Sequence, residues 1–112
     1  MDSPERRIFK RVKGVFRVTL RVNVNIMFEF ICISKDISEG GMRLVVERKI
    51  LPGTDVSVKF MLPHHVGDLE IGGEVVWVNP SMTEEGEYET GIKFTMLDPR
   101  QRAILRQYVR ER

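Results

Sequence analysis

The chain has 112 residues and a mass of 13.0 kDa, enough for one hydrophobic core but not for two. Apolar residues make up 42% and charged residues 30%, which excludes a disordered tail. No apolar run approaches the roughly 20 residues of a membrane-spanning helix, so we expect no membrane insertion. The single cysteine excludes an internal disulfide framework, and no secretory signal is recognisable, so we expect a cytoplasmic protein.

The net charge of +2 is unevenly distributed. Residues 1–21 carry +5, residues 22–97 carry −6 and residues 98–112 carry +3. The basic ends either fold back onto the acidic middle or stay solvated, or one of them binds an anion such as a phosphate.

A long alternating segment begins at Phe16. Every even position from Phe16 to Phe30 is apolar, which predicts β-structure with one face in water. One strand of this length would be unusual, so we predict a hairpin. A three-residue loop at Asn23-Val24-Asn25, which pairs Val22 with Ile26, keeps the apolar residues on one face.

Four more strands and a helix are expected after the hairpin. Alternating apolar positions predict strands over 42–47, 56–62, 69–78 and 88–96, and Gly72-Gly73 suggests a bulge in the third of these. Asp98 and Pro99 fit the N-cap and first position of a helix over 98–112, which has apolar residues at helical spacing.

These elements predict a mainly β fold, a six-stranded antiparallel β-barrel with the C-terminal α-helix packed on it. Residues 1–11 lack clear periodicity, and we expect them to be a flexible, Arg-rich arm. Residues 12–112 then form the single domain.

The sequence contains no recognisable pattern of catalytic residues. No Gly-rich phosphate loop opens a helix, and no nucleophile–base pair is evident, so we do not expect an enzyme. We interpret His64-His65 as loop residues rather than metal ligands, Cys32 as a buried inert thiol, and Trp77 as a packing residue rather than a stacking platform.

Two short motifs are more informative. Arg7 and Arg11 form an RxxxR pair in the arm, although the same spacing recurs elsewhere in the chain. Asp36, Ser38 and Gly41 form a DxSxxG motif between the second and third predicted strands. The structural interpretation is a turn in which Asp36 and Ser38 bond their own backbone and the glycines supply positive φ.

Taken together, the RxxxR arm, the hairpin, the DxSxxG motif, the barrel and the C-terminal helix resemble a PilZ domain over almost the whole chain. The resemblance implies a PilZ-like barrel of the split-barrel type. PilZ domains are known as bacterial receptors for cyclic di-GMP, so it also implies this ligand, with no metal or other cofactor. The ligand-binding positions it implies are Arg7, Arg11, Asp36, Ser38 and Gly41.

The chemistry of these residues suits that ligand. Arginine offers a planar fork for phosphate oxygens or a guanine edge, so we assign Arg7 and Arg11 as clamps. Asp36 and Ser38 would read a guanine edge, and Gly41 would let the backbone approach the ligand. Neighbouring Arg6 is either a further contact or a solvated arm residue.

We therefore expect a cyclic di-GMP receptor or adaptor whose arm folds over the ligand and which signals to an unidentified effector protein. One alternative is a PilZ-like protein-interaction module that does not bind nucleotide. A barrel that binds single-stranded nucleic acid is disfavoured, because the phenylalanines occupy the apolar phase of their strands and the strand region is net acidic. The sequence leaves open whether one ligand molecule or a stacked pair binds.

Overall fold

Seven strands and one helix follow one another in the computed structural model, which describes residues 9–23 and 27–112. Their bounds are β1 Val12–Lys13, β2 Arg17–Asn23, β3 Met27–Ile37, β4 Gly41–Val46, β5 Asp55–Phe60, β6 Leu69–Pro80, β7 Tyr88–Met96 and α1 Pro99–Arg110. No helix within these residues is long and apolar enough to cross a membrane.

Six of the strands close into an antiparallel barrel. The order β3-β2-β5-β6-β7-β4 is completed by a pairing of β4 with β3, so the sheet returns to its first strand. The predicted six-stranded barrel with a C-terminal helix is therefore confirmed. The short strand β1, which the sequence did not predict, pairs with the end of β3.

The first hairpin forms where it was predicted, but its register differs. Strands β2 and β3 pair Val22 with Phe28 and Asn23 with Met27, so the prediction that Val22 pairs with Ile26 is wrong. The connection lies over 24–26, one residue later than predicted, and these residues are outside the described part of the chain. The shift of two residues in the pairing leaves the inward-facing set unchanged, because side chains alternate with a period of two.

The barrel core contains the inward-facing residues of all the main strands. Among the largest fully buried side chains are Leu20, Leu44, Phe60 and Ile71. Phe28 departs from its predicted apolar environment, because 47% of it is exposed at the barrel end. The bulge predicted at Gly72-Gly73 is present as a shift of register between β6 and β7.

The C-terminal helix begins as its sequence predicts. The Asp98 side chain accepts a hydrogen bond from the Gln101 backbone, and the Gln101 side chain bonds back to the Asp98 backbone. This reciprocal capping satisfies two backbone donors that have no partner within the helix. Leu105, Tyr108 and Val109 then join the barrel core.

Candidate functional site

The DxSxxG motif lies where β3 ends and β4 begins. A bulge between Ser34 and Asp36 changes the side-chain direction of β3. Before the bulge, Ser34 pairs with the buried Leu44 and points into the barrel. After it, Asp36 pairs with Arg43, and both side chains lie on the outer side of the barrel. A bulge that re-aims a side chain in this way is common beside binding sites.

Two arginines hold the Asp36 carboxylate. Arg11 donates from Nη1 to Oδ1 at 3.0 Å, and Arg43 donates from Nε and Nη2 to Oδ2 at 3.0 and 2.6 Å. The Asp36 side chain is only 10% exposed, whereas that of Arg11 is 54% exposed. The carboxylate is thus covered by its own partners, and its Oδ1 atom keeps the larger remaining capacity to accept a hydrogen bond.

Arg43 continues this network across the sheet. Its Nη1 atom donates to Glu89 on β7 at 3.3 Å, and Lys35 donates to the other Glu89 oxygen at 2.7 Å. The hydrogen bond from Lys35, with the nearby charges of Lys35 and Arg43, lowers the pKa of Glu89 below its ordinary value against the opposing effect of burial. The site carboxylate is therefore part of a chain of ion pairs that joins β3, β4 and β7.

Ser38 stabilises the turn itself. Its Oγ atom accepts from the Gly40 backbone N–H at 3.1 Å, and its own N–H donates to the Gly41 carbonyl at 2.8 Å. The prediction that Ser38 bonds the backbone of its own turn is confirmed, whereas Asp36 bonds arginines instead.

The two motif glycines are explained by close packing. The positive-φ glycines of the described chain are at 53, 67 and 86, so the prediction that Gly40 and Gly41 supply positive φ is wrong. A Cβ at Gly41 would overlap the Ile92 carbonyl oxygen of β7, and one at Gly40 would lie 2.7 Å from the Phe9 ring. The lack of a side chain at Gly41 is thus required by the neighbouring strand, whatever a ligand requires.

A surface cavity of about 400 Å³ opens beside the turn. Arg11, Ser38, Gly40 and Gly41 line one side of it. The rest of the lining is mainly apolar and comes from the arm, β4, β6 and β7, namely Phe9, Met42, Val76, Trp77, Gly91, Ile92 and Lys93. An apolar cavity with a few convergent polar and cationic groups is the usual form of a small-molecule site.

Two aromatic rings and one amine in this cavity could contact a flat, anionic ligand. Phe9 packs on Gly40, and Trp77 packs directly over Gly91. Packing was the predicted role of Trp77, but this residue also lines the cavity. Lys93 is exposed and also lines the cavity. Aromatic faces stack on nucleobases, and ammonium groups bind phosphates.

The structure thus brings four of the predicted site residues together: Arg11, Asp36, Ser38 and Gly41. The predictions for Arg7 and Arg6 lie outside the described residues. Sequence reasoning missed Arg43, Phe9 and Lys93. Arg43 stands two positions after the motif on the next strand, and its pairing with Asp36 depends on the bulge after Ser34, which the sequence did not predict.

The two adjacent histidines and Cys32 do not line this cavity. His64 and His65 lie in the connection between β5 and β6, and no group of three potential ligands within 9–23 and 27–112 could hold a metal ion. Cys32 is 5% exposed, and its thiol donates to the Val18 carbonyl at 3.5 Å. Burial raises the pKa of this thiol to about 12.

Comparisons with known proteins identify the fold. The family model described as the PilZ domain matches residues 5–111. The Bacillus subtilis inhibitor of motility MotI/DgrA is 19% identical with a TM-score of 0.77, covering 95% of this chain and 50% of that one. Escherichia coli YcgR in complex with c-di-GMP is 14% identical with a TM-score of 0.72, covering 95% and 45%.

A shorter structure matches over most of its length. The PilZ domain of E. coli YcgR with c-di-GMP is 12% identical with a TM-score of 0.72, covering 95% of this chain and 90% of that one. The chain therefore spans about half the length of the first two proteins and nearly all of the separate domain. At these identities the likeness shows the fold alone. No curated protein matches the chain at a significant level.

Proposed function

The chain belongs to the PilZ domain family, and from this premise we propose that it is a receptor for cyclic di-GMP rather than an enzyme. The observation that carries the proposal is the ion pair between Arg11 and Asp36 at the edge of the cavity. It joins the second arginine of the RxxxR pair to the DxSxxG turn beside a space lined by aromatic rings. Solved PilZ structures that share this fold, such as that of E. coli YcgR, contain c-di-GMP.

The charges of the cavity suit a dianionic ligand. One N–H of the Arg11 guanidinium is engaged by Asp36 within the described residues, which leaves the rest of its five donors for a phosphodiester or a guanine edge. Lys93 adds a second cation to the lining of the cavity. We assign Arg7 a further clamping role and Arg6 a peripheral one, by their places in the matched motif.

Asp36 and Ser38 are the proposed readers of a guanine. The Oδ1 atom of Asp36 would accept from a guanine N–H while Arg43 holds Oδ2 and fixes the plane of the carboxylate. Ser38 would contribute its hydroxyl at the cavity wall. Phe9 and Trp77 would stack on the ligand's bases, since both rings line the cavity.

Isothermal titration with cyclic di-GMP, with GTP as the control nucleotide, tests the proposal. We expect saturable binding of cyclic di-GMP alone, with a stoichiometry that distinguishes one molecule from a stacked pair. Arg11→Ala and Asp36→Ala should each weaken binding by roughly 10- to 150-fold, because each removes a charge-assisted contact.

The matched control is Arg17→Ala. Arg17 belongs to a second RxxxR pair, but it lies exposed on β2, outside the cavity, so its loss should leave the affinity within about twofold. Unchanged affinity in both Arg11→Ala and Asp36→Ala would refute the site. Absence of any binding would favour the alternative, a protein-interaction module that does not bind nucleotide.

Ligand binding would also change the conformation of the arm over residues 1–11. Part of the ligand's contacts come from this arm and the rest from the barrel, so the bound ligand would hold the two together. Trypsin cleavage after Arg7 and Lys10, measured with and without cyclic di-GMP, tests this step. We expect slower cleavage with ligand, and equal rates would contradict the arm movement while leaving the binding site intact. The receiver of this change would be a cytoplasmic effector protein.

A further inference from the structure

A line of arginines runs along the exposed side of α1. Arg102, Arg106 and Arg110 are spaced four residues apart, so successive side chains are about 6 Å apart along the helix axis. All three are exposed, while Leu105 and Tyr108 bury the other side of the helix in the core. We call these three residues the arginine stripe.

The packing of α1 on the barrel core does not require this stripe, because Leu105, Tyr108 and Val109 form that contact. Arg102 lies in the first turn, where the positive end of the helix dipole disfavours a cation, and this turn contains no acidic residue. Like charges at a spacing of four residues also destabilise a helix by a few tenths of a kcal/mol per pair. Only Arg110, in the last turn, is favourably placed. Asp98, four residues before Arg102, and Glu39, which pairs with Arg106, offset part of this repulsion, and core packing does not explain the stripe.

The stripe is connected to the candidate ligand site. Arg106 donates from Nε to the Glu39 carboxylate at 3.2 Å, and Glu39 lies inside the DxSxxG turn. At the end of the helix, the Lys10 amine donates to the Arg112 carbonyl at 2.9 Å. The helix thus contacts both the turn and the arm segment that precedes the barrel.

We propose that the arginine stripe is the docking surface for a short acidic segment of a partner protein. Guanidinium groups form paired hydrogen bonds with carboxylates, and three of them in a row fit a chain of carboxylates at similar spacing. The description of this partner as the receiver of the signal rests on the proposed function, whereas the docking surface itself does not.

The charge of the rest of the molecule favours a short segment over an extended polyanion. Residues 12–97, which form the barrel, contain nine basic and twelve acidic residues, a net charge of −3, and this barrel packs against α1. A membrane surface or a nucleic acid would bring much of its own negative charge close to this acidic body. A short acidic peptide can lie along the stripe alone.

The ion pair of Arg106 would couple docking to the ligand site. A partner carboxylate that binds Arg106 competes with Glu39 for the same guanidinium, so docking would release one of the contacts that hold the DxSxxG turn against the helix. By linkage, a ligand that changes the position of Glu39 would change the affinity of the stripe.

Fluorescence anisotropy with a labelled peptide that has glutamate at every second position tests the docking surface, without cyclic di-GMP present. We expect binding at low ionic strength that Arg102→Glu with Arg110→Glu weakens by about tenfold or more, with Arg102→Gln and Arg110→Gln giving an intermediate loss. Glu39→Gln should strengthen binding by about two- to fivefold, because it frees Arg106. A variant's thermal unfolding reports whether it remains folded.

The control pair is Arg48→Glu with Lys49→Glu, which makes the same change of charge in the exposed connection between β4 and β5. It should leave peptide binding within about twofold.

Equal losses in the two charge-reversed variants would overturn the proposal, because binding would then depend on net charge alone. Binding of phosphatidylserine vesicles or duplex DNA through the stripe, without binding of the peptide, would also overturn it. The variant with Arg102→Glu and Arg110→Glu should keep the wild-type affinity for cyclic di-GMP. This measurement separates the test of the docking surface from that of the receptor function.

Discussion

The Asp36 carboxylate is oriented before any ligand arrives. Three hydrogen bonds from two arginines fix its two oxygens, and the carboxylate is nearly covered by them. A group held in this way loses little conformational freedom when a ligand binds, so more of the interaction energy appears as affinity. Arg43 supplies two of the three bonds without lining the cavity, which makes it a positioning residue.

We predict that Arg43→Ala weakens both folding and ligand binding. Its removal leaves Oδ2 of a largely buried carboxylate without its partner, which should lower the free energy of unfolding by about 1.5–3 kcal/mol. Arg43→Lys should not restore this, since an ammonium group cannot donate in the same paired geometry. Urea unfolding of Arg43→Ala, Asp36→Ala and the double variant measures the coupling, and strictly additive losses would contradict it.

The buried thiol of Cys32 provides a second prediction for a single residue. Its pKa of about 12 and its burial predict a thiol that stays protonated and inaccessible at pH 8. Reaction with a disulfide reagent should be slow in the native protein and fast in guanidinium chloride. A native rate close to that of free cysteine would show that the barrel opens at β3.

The sequence allowed the residue types of the site to be predicted, but not the way in which they contact one another. Asp36, Ser38 and Gly41 were identified from their motif, and Arg11 from its position in the arm. Arg43 was not, because its pairing with Asp36 depends on the bulge after Ser34. A bulge shifts the phase of the apolar alternation, but Ile31 and Ile33 are apolar on the exposed face and obscure that shift in the sequence.

At the scale of strands, Gly41 sets how closely β4 can approach β7. A side chain at this position would overlap the backbone of Ile92, which cannot move without disturbing the barrel. We predict that Gly41→Ala destabilises the fold by about 1–3 kcal/mol or more, measured by thermal unfolding. Gly72→Ala is the matched control. The nearest atoms there belong to the exposed, flexible side chain of Met96, at 2.9 and 3.0 Å, so the loss should be smaller.

The ion pairs of Glu89 predict a dependence of stability on pH. Because the pKa of Glu89 in the fold lies below its ordinary value of 4.5, the carboxylate stabilises the fold above that pH. This stabilisation is lost as the pH falls through 4.5 and then through the lower pKa of the folded state. The wild type should therefore unfold at a higher temperature than Glu89→Gln at pH 7, and the difference should shrink towards pH 3. A constant difference would contradict a role for the charge.

Element positions were more predictable than element registers. Alternation with a period of two identified the inward face of the first hairpin, and capping residues identified the start of α1. The hairpin register was predicted incorrectly, because a slip of two residues leaves the same side chains facing inward. Only the geometry of the turn distinguishes one register from the other. The short strand β1 has two residues, too few for any periodic signal.

At the scale of the whole molecule, the proposed ligand should stabilise the fold by mass action. A ligand at about 100 times its dissociation constant contributes roughly 2.7 kcal/mol, which for a domain of this size raises the midpoint of thermal unfolding by on the order of 10 °C. Differential scanning fluorimetry with cyclic di-GMP measures this shift. Arg11→Ala should reduce it by about half or more at the same ligand concentration, and a shift that persists unchanged would assign binding to another surface.

The closure of β4 onto β3 also protects the molecule from self-association through its backbone. Ile31 and Ile33 project from the outside of β3 with 65% and 45% of their surfaces exposed, a pattern that on an open sheet edge invites the addition of another chain. In the described barrel, one edge of β3 pairs with β2 and β1, and the other edge pairs with β4 from Ile33 to Ile37. Ile33 can therefore be displayed without offering a template for fibril growth, because its backbone lies between two partner strands, opposite Arg17 on β2 and Val45 on β4.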